Sequence, residues 1–179
     1  KVARILGLGF PGGPAIERLA REGDPTAHPF PRPLLAAHQR PGEPDYFDFS
    51  FSGLKTAVLN RVRELEARDR LAAEIPNLAA SFQAAVIDVL VAKTMRAVRL
   101  TGCARVLVGG GVAASRALRA ALADALGPDG RLYYPSPRLA TDNGAMIARA
   151  GLFRYLCGET APLDAAAQAN LPFPGLERG

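Results

Sequence analysis

After Ile75-Pro76-Asn77 the apolar residues Leu78, Phe82, Ala85, Val86, Val89 and Leu90 recur at three- and four-residue spacing, with charge on the opposite face. That period predicts a long amphipathic helix, closed by Gly102. The same reading gives helices from Leu54 to about Arg68, from Ala114 to Leu126 with Leu118, Leu122 and Leu126 aligned, and from about Asn143 to Leu156. Residues 1–23 read as helix around a break: VARILGLG runs into the turn PGGP, and AIERLAREG resumes with Ile16, Leu19 and Ala20 on one face before Gly23 stops it. Arg105–Val108 and Arg131–Tyr134 predict short strands, and the alternation in Tyr46-Phe-Asp-Phe-Ser-Phe51 predicts a half-buried one. Residues 24–44 form a Pro-rich connection with a short edge strand expected at Pro33-Leu-Leu-Ala36, and residues 161–179 read as a surface tail without periodicity.

Strands separated by helices, with glycine-rich turns at strand ends, predict an α/β fold with a mixed sheet and one or two long helices beside it. In such sheets ligands gather where strands end and helices begin. Composition agrees with a globular chain: of 179 residues, 49% are hydrophobic and 22% charged, enough to build a core. The sequence holds no run of eighteen apolar residues and no signal-peptide pattern at Lys1, which leads us to expect a cytoplasmic protein with no membrane association. Cys103 and Cys157 stand far apart without CxxC pairing and read as reduced, semi-buried thiols. The formal charge of +5 permits phosphate-rich partners without establishing them, because no dense basic block is present.

Four stretches could carry chemistry. VLVGGGVAAS is a strand, a glycine turn and a helix start. Bare N–H groups there meet a phosphate or nucleoside, or else the helix simply packs closely on its strand; three glycines where one serves a turn favour the ligand. It matches neither GxGxxG nor the P-loop. Thr141-Asp142-Asn143-Gly144 precedes an apolar helix, and locally Asp142 or Thr141 is favoured as an N-cap over a metal ligand. Gly12-Gly13-Pro14 opens a helix, with Pro14 expected at its first position. Ser50, Ser52 and Lys55 form a polar cluster that reads as a solvated turn, since GxSxG and SxxK are absent. His28 and His38 have no partner at ligand spacing and read as surface residues.

Taken in order, GLGFPGGPAIERLA, FDFSFSGLKTAV, ASFQAAVIDVLVAKT, VLVGGGVAAS and ATDNGAMIARAG strongly resemble the TsaD (YgjD/Gcp-like) family, the tRNA threonylcarbamoyladenosine transferases once described as glycoprotein endopeptidases. The resemblance spans nearly the whole chain. It implies the actin-like, sugar kinase and Hsp70-like ATPase superfamily fold (ribonuclease H-like), and of that fold the carboxy-terminal lobe alone, over residues 1–179. It implies substrate contacts at Gly13, Gly110 and Gly111. The family's turn usually reads AGGVAAN, its final Asn touching substrate; here Gly109 replaces Ala and Ser115 replaces Asn. Asp142 matches the family's metal-ligating aspartate.

The family's other two ligands, the histidines of HxxxH, belong to an amino-terminal lobe that these residues do not include, as does a substrate-contacting aspartate. The chain therefore reads as a fragment. The implied reaction is transfer of a threonylcarbamoyl group from threonylcarbamoyl-adenylate to N6 of the adenine next to the tRNA anticodon, with one divalent metal, iron or zinc. The implied partners are tRNA and TsaB-like and TsaE-like accessory proteins. The fragment alone is expected to be inactive, to hold metal weakly, and to self-associate through uncovered apolar surface. A metallopeptidase lacks its HExxH here; a non-catalytic interaction domain is the other rival.

Overall fold

The computed structural model describes residues 1–35, 39–43 and 45–166. In chain order the elements are α1 (Val2–Ile5), α2 (Gly12–Ala20), α3 (Ser52–Glu66), α4 (Leu71–Thr101), β1 (Arg105–Leu107), a 3-10 turn (Gly111–Ala114), α5 (Arg116–Leu126), β2 (Arg131–Tyr133), a second 3-10 turn (Pro137–Leu139) and α6 (Gly144–Leu156). Two compact units result, Lys1–Thr141 and Asp142–Gly179.

The core of the first unit forms around α4. Leu78, Ala79 and Ala85 of α4 meet Leu54, Val58, Val62 and Leu65 of α3, together with Val2, Leu6 and Phe30. Leu54, Val58 and Leu78 are fully buried, so truncating Leu54 or Leu78 to Ala costs about 2–5 kcal/mol. By length and composition α4 could cross a membrane, but Leu78, Ala79, Ala80, Ala85 and Val89 on it are buried and it packs on α2, α3 and α5. Gly102 closes it in the left-handed conformation, φ 65°.

A polar stripe of α4 beside its apolar face anchors the Pro-rich connection. Asn77 Oδ1 accepts from Asp24 N at 2.9 Å, and the buried Ser81 Oγ accepts from His28 N and donates to Asp24 O. Arg32 then pairs with Asp88 at 2.7 Å. Further along, the buried Lys93 Nζ donates to the carbonyls of Asp45 and Tyr46, and Arg96 donates to Gln39 Oε1 and lies over the Tyr46 ring. Positions 77, 81 and 88 fall on one helical face, so a stripe of side chains fixes a segment that has no regular structure of its own.

Several sequence expectations are corrected here. Helix α4 begins at Leu71 and runs through Pro76 rather than starting after Asn77. The chain passes close at that point: a Cβ on Gly23 would lie 2.1 Å from the Pro76 carbonyl oxygen, so only glycine fits. Tyr46–Phe51 is not a strand, and Pro33–Leu35 forms a turn with Leu34 at φ 55°; Ala36 and His38 lie outside the described residues. Pro14 is the third residue of α2, not the first, and the N-cap is Pro11. The expected mixed sheet is, among the described residues, one parallel pair, β1 with β2. Both cysteines are exposed rather than semi-buried.

His28 is buried, not a surface residue. Its Nδ1 accepts from Arg61 Nε at 3.1 Å, which places the proton on Nε2. That nitrogen lies 3.2 Å from Glu74 Oε2. Burial, reinforced by the Arg61 charge and opposed by Glu74, pushes the imidazole below its ordinary pKa of 6.5. The folded state thus resists a proton that the unfolded chain accepts. Stability is full above pH 6.5 and falls as the pH drops from there through the folded-state value. Chemical denaturation between pH 8 and 5 should show this slope, reduced in His28→Gln; an unchanged slope in the variant would assign it to other groups.

Candidate functional site

The carboxyl end of β1 leads through Val108 into Gly109-Gly110-Gly111, and the three glycines have different roles. Gly110 adopts φ 82° and ψ 174°, a conformation that side chains make strained. Gly109 and Gly111 are not required by conformation or packing. A Cβ on Gly109 would meet nothing within 4 Å, and one on Gly111 would make only an ordinary contact, 3.8 Å from Thr141 Cγ2. One glycine makes the turn; the other two leave its surface bare.

The turn is fixed from behind. Arg119 reaches back from α5, its Nε donating to the Ala113 carbonyl at 2.5 Å and its guanidinium stacking 4.0 Å above the Tyr134 ring. Glu17 of α2 accepts from Arg116 N at 2.9 Å, which ties the first turn of α5 to α2. The two glycine-rich helix starts, 99 residues apart in sequence, are held together by this bond.

Between them lies an apolar cleft of about 390 Å³, lined by Gly13, Glu17, Phe82, Val86, Gly111 and Ser115 among others. The size is that of a small-molecule site. The structure therefore brings together Gly13, Gly111 and Ser115; Gly110 shapes the turn beside the cleft without lining it. A Cβ on Gly13 would also meet nothing within 4 Å. Glu17 is the residue that sequence reading passed over: its helical spacing from Gly13 was visible, its bond to α5 was not.

Ser115 is the N-cap of α5, its Oγ accepting from Leu118 N at 3.4 Å. The hydroxyl thus lines the cleft while also capping a helix. Ser115→Ala should cost about 1 kcal/mol through the cap, whereas Asn caps as well as Ser and should leave stability within a few tenths. Thermal unfolding of the two variants checks this.

Asp142 opens the second unit, exposed, ahead of α6. The cap of α6 is Asn143, whose Oδ1 accepts from Met146 N at 3.0 Å, not Asp142 or Thr141 as the sequence suggested. The carboxylate of Asp142 is left out of the cap. Among the described residues no three His, Cys, Asp or Glu side chains gather as a metal site. The residues in hand supply one candidate ligand and do not make a complete site. Ser50 is half-buried and Ser52 is the exposed first residue of α3, their hydroxyls 3.3 Å apart, so the cluster opens a helix rather than forming the solvated turn expected of it.

An α/β chain with a cleft at the carboxyl end of a parallel strand, flanked by glycine-rich helix starts, belongs to the class whose ligands sit outside strand ends. Residues 1–149 match the family model described as TsaD: tRNA N6-adenosine threonylcarbamoyltransferase, and the chain belongs to that family. It is 49% identical to the tRNA N6-adenosine threonylcarbamoyltransferase of Gemmatimonas aurantiaca over 98% of this chain and 51% of that protein. Against the proteins of the same name from Paracidovorax citrulli and Desulfitobacterium hafniense the identities are 51% and 47%, covering 90% and 96% of this chain and 44% and 49% of theirs. The chain spans about half the length of the curated relatives it matches. Family membership implies the actin-like ATPase fold, and the helices and parallel strand pair seen here are of that α/β class.

Proposed function

We propose that, within the full-length protein, these residues form the carboxy-terminal lobe of a tRNA N6-adenosine threonylcarbamoyltransferase and seat the adenosine part of threonylcarbamoyl-adenylate. The observation that carries this reading is the meeting of Gly13, Gly111 and Ser115 in one cleft. Phe82 and Val86 offer apolar surface to a base, and the bare turn at Gly111 lets the ligand approach backbone N–H groups. In the reaction the N6 amine of the tRNA adenine attacks the threonylcarbamoyl carbonyl. The N6–carbon bond forms, the bond from that carbon to the adenylate oxygen breaks, N6 loses a proton, and AMP leaves. The residues here hold the leaving adenylate, and Arg119 and Glu17 keep the turn in place behind it.

Asp142 is proposed as one ligand of the divalent metal, iron or zinc, that the family resemblance implies, its remaining ligands coming from outside these residues. The metal's chemistry when bound is to hold the threonylcarbamoyl group. The proposed partners are tRNA and TsaB-like and TsaE-like accessory proteins, in the cytoplasm. The metallopeptidase alternative is not favoured by the names of the relatives. Titration of the full-length protein with a non-hydrolysable threonylcarbamoyl-adenylate analogue should shift the amide resonances of Gly13, Gly111 and Ser115 at saturation. Binding that moves other amides and leaves these three unmoved would remove the cleft from the site.

A further inference from the structure

A second cavity adjoins the adenylate cleft. It measures about 650 Å³ and shares Gly13, Ile16 and Phe82 with the cleft as a common wall. The two differ in charge. Among the described residues the cleft is lined by one carboxylate, Glu17, and no cation, whereas the second cavity is lined by Lys1 and Lys55 and no carboxylate. Neither lysine enters an ion pair among the described residues.

The core fixes where these groups stand. Val2 of α1 and Leu54 of α3 are buried in one cluster, and Lys1 and Lys55, their neighbours in the chain, are exposed. Gly12 lets α2 close on α1, since a Cβ there would lie 2.5 Å from Ala3 Cβ. The short connection between those two helices carries Phe10, which lines the cavity and is 100% exposed. A lone exposed apolar side chain needs no explanation. One that shares a cavity with two uncommitted cations matches the chemistry of an unpaired nucleotide, offering a π-face for the base and positive charge for the phosphodiester. Such stacking takes bases that are out of a duplex, which is how RNA loops are recognised. A phosphate of the adenylate would use the cations and leave Phe10 without a role.

We infer that the second cavity receives an unpaired nucleotide of the tRNA anticodon loop, its base stacked on Phe10 and its phosphodiester held by Lys55 and Lys1. The inference rests on the proposed reaction for the identity of the RNA, which the names of the relatives carry. Through their common wall the two cavities put the acceptor strand beside the adenylate, as transfer between them requires.

Binding to two RNAs, an anticodon stem-loop and a duplex of equal length without unpaired bases, tests this on the full-length protein with its accessory proteins present. Phe10→Ala should weaken stem-loop binding at least about 10-fold and leave the duplex within about 2-fold, while Phe10→Tyr keeps the stack and the stem-loop affinity. Lys55→Gln should lower the salt slope of stem-loop binding by about 0.7, the loss of one single-strand phosphate contact. Both side chains are exposed, so thermal unfolding should not move. Stem-loop affinity that is unchanged in Phe10→Ala, or lost equally for both RNAs, overturns the inference, as does a loss in Phe10→Tyr that matches Phe10→Ala. Affinity for the threonylcarbamoyl-adenylate analogue should stay within about 2-fold in Phe10→Ala and Lys55→Gln. A fall there with stem-loop binding intact gives the cavity to the adenylate's own phosphate and overturns this inference alone. An analogue that fails to bind the unsubstituted protein overturns the proposed reaction instead, and the two RNAs still decide the second cavity.

Discussion

Gly13→Val and Gly111→Val in the full-length protein should each weaken binding of the threonylcarbamoyl-adenylate analogue by at least about 30-fold, about 2 kcal/mol, while changing unfolding free energy by less than about 1 kcal/mol. The structure leaves room for a Cβ at both positions. A Cβ at Gly13 meets nothing within 4 Å, and at Gly111 it meets Thr141 Cγ2 at 3.8 Å, an ordinary contact. In the first turn of α2, replacing glycine even removes some chain entropy from the unfolded state. The space the new methyl groups occupy lies along the cleft. Gly110 is the internal contrast. At φ 82° any side chain there strains the turn by about 1–3 kcal/mol, so Gly110→Val should lose stability and affinity together. Calorimetric affinities paired with denaturant unfolding of the three variants separate the effects. Unchanged affinity in Gly13→Val and Gly111→Val would empty the cleft of its proposed ligand.

What the sequence makes legible follows from which interactions are periodic. Helices α3, α4, α5 and α6 show an apolar period that their own backbone bonds satisfy, and the glycine turn stands out because three glycines exceed what a turn needs. Tyr46–Phe51 misleads because alternation reports two faces, not a hydrogen-bonding neighbour. That segment is held instead by Lys93 and Arg96 from α4 and gives its last aromatic, Phe51, to the core of α3 and α4. His28 is hidden for the same reason: its burial depends on the path of the Pro-rich connection along Asn77, Ser81 and Asp88, residues that in sequence read only as the polar side of a helix. Gly13, Gly111 and Ser115 could be nominated one by one from motif and resemblance. Their meeting in one cleft rests on α2 and α5 both packing on α4 and on the bond from Arg116 N to Glu17, a contact across 99 residues that no local pattern announces.

Asp142→Ala should lower the affinity of the full-length protein for zinc and iron(II) by at least about 100-fold, as expected when one of a small set of directly bound ligands is removed. The 179-residue chain by itself should bind either ion only weakly, because a single exposed carboxylate fixes neither coordination number nor geometry. Among the described residues no group of three or more His, Cys, Asp or Glu side chains gathers to raise that affinity. The neighbouring Asn143 supplies the control. Its side chain caps α6 through Met146 N, so Asn143→Ala should cost about 1 kcal/mol of helix stability and far less metal affinity than Asp142→Ala. If Asn143→Ala were to match Asp142→Ala in metal loss, the aspartate would be acting through the helix start rather than as a ligand. Calorimetric titration of both ions into the 179-residue chain completes the test: tight, stoichiometric binding that persists in Asp142→Ala would overturn both the incomplete site and the ligand assignment.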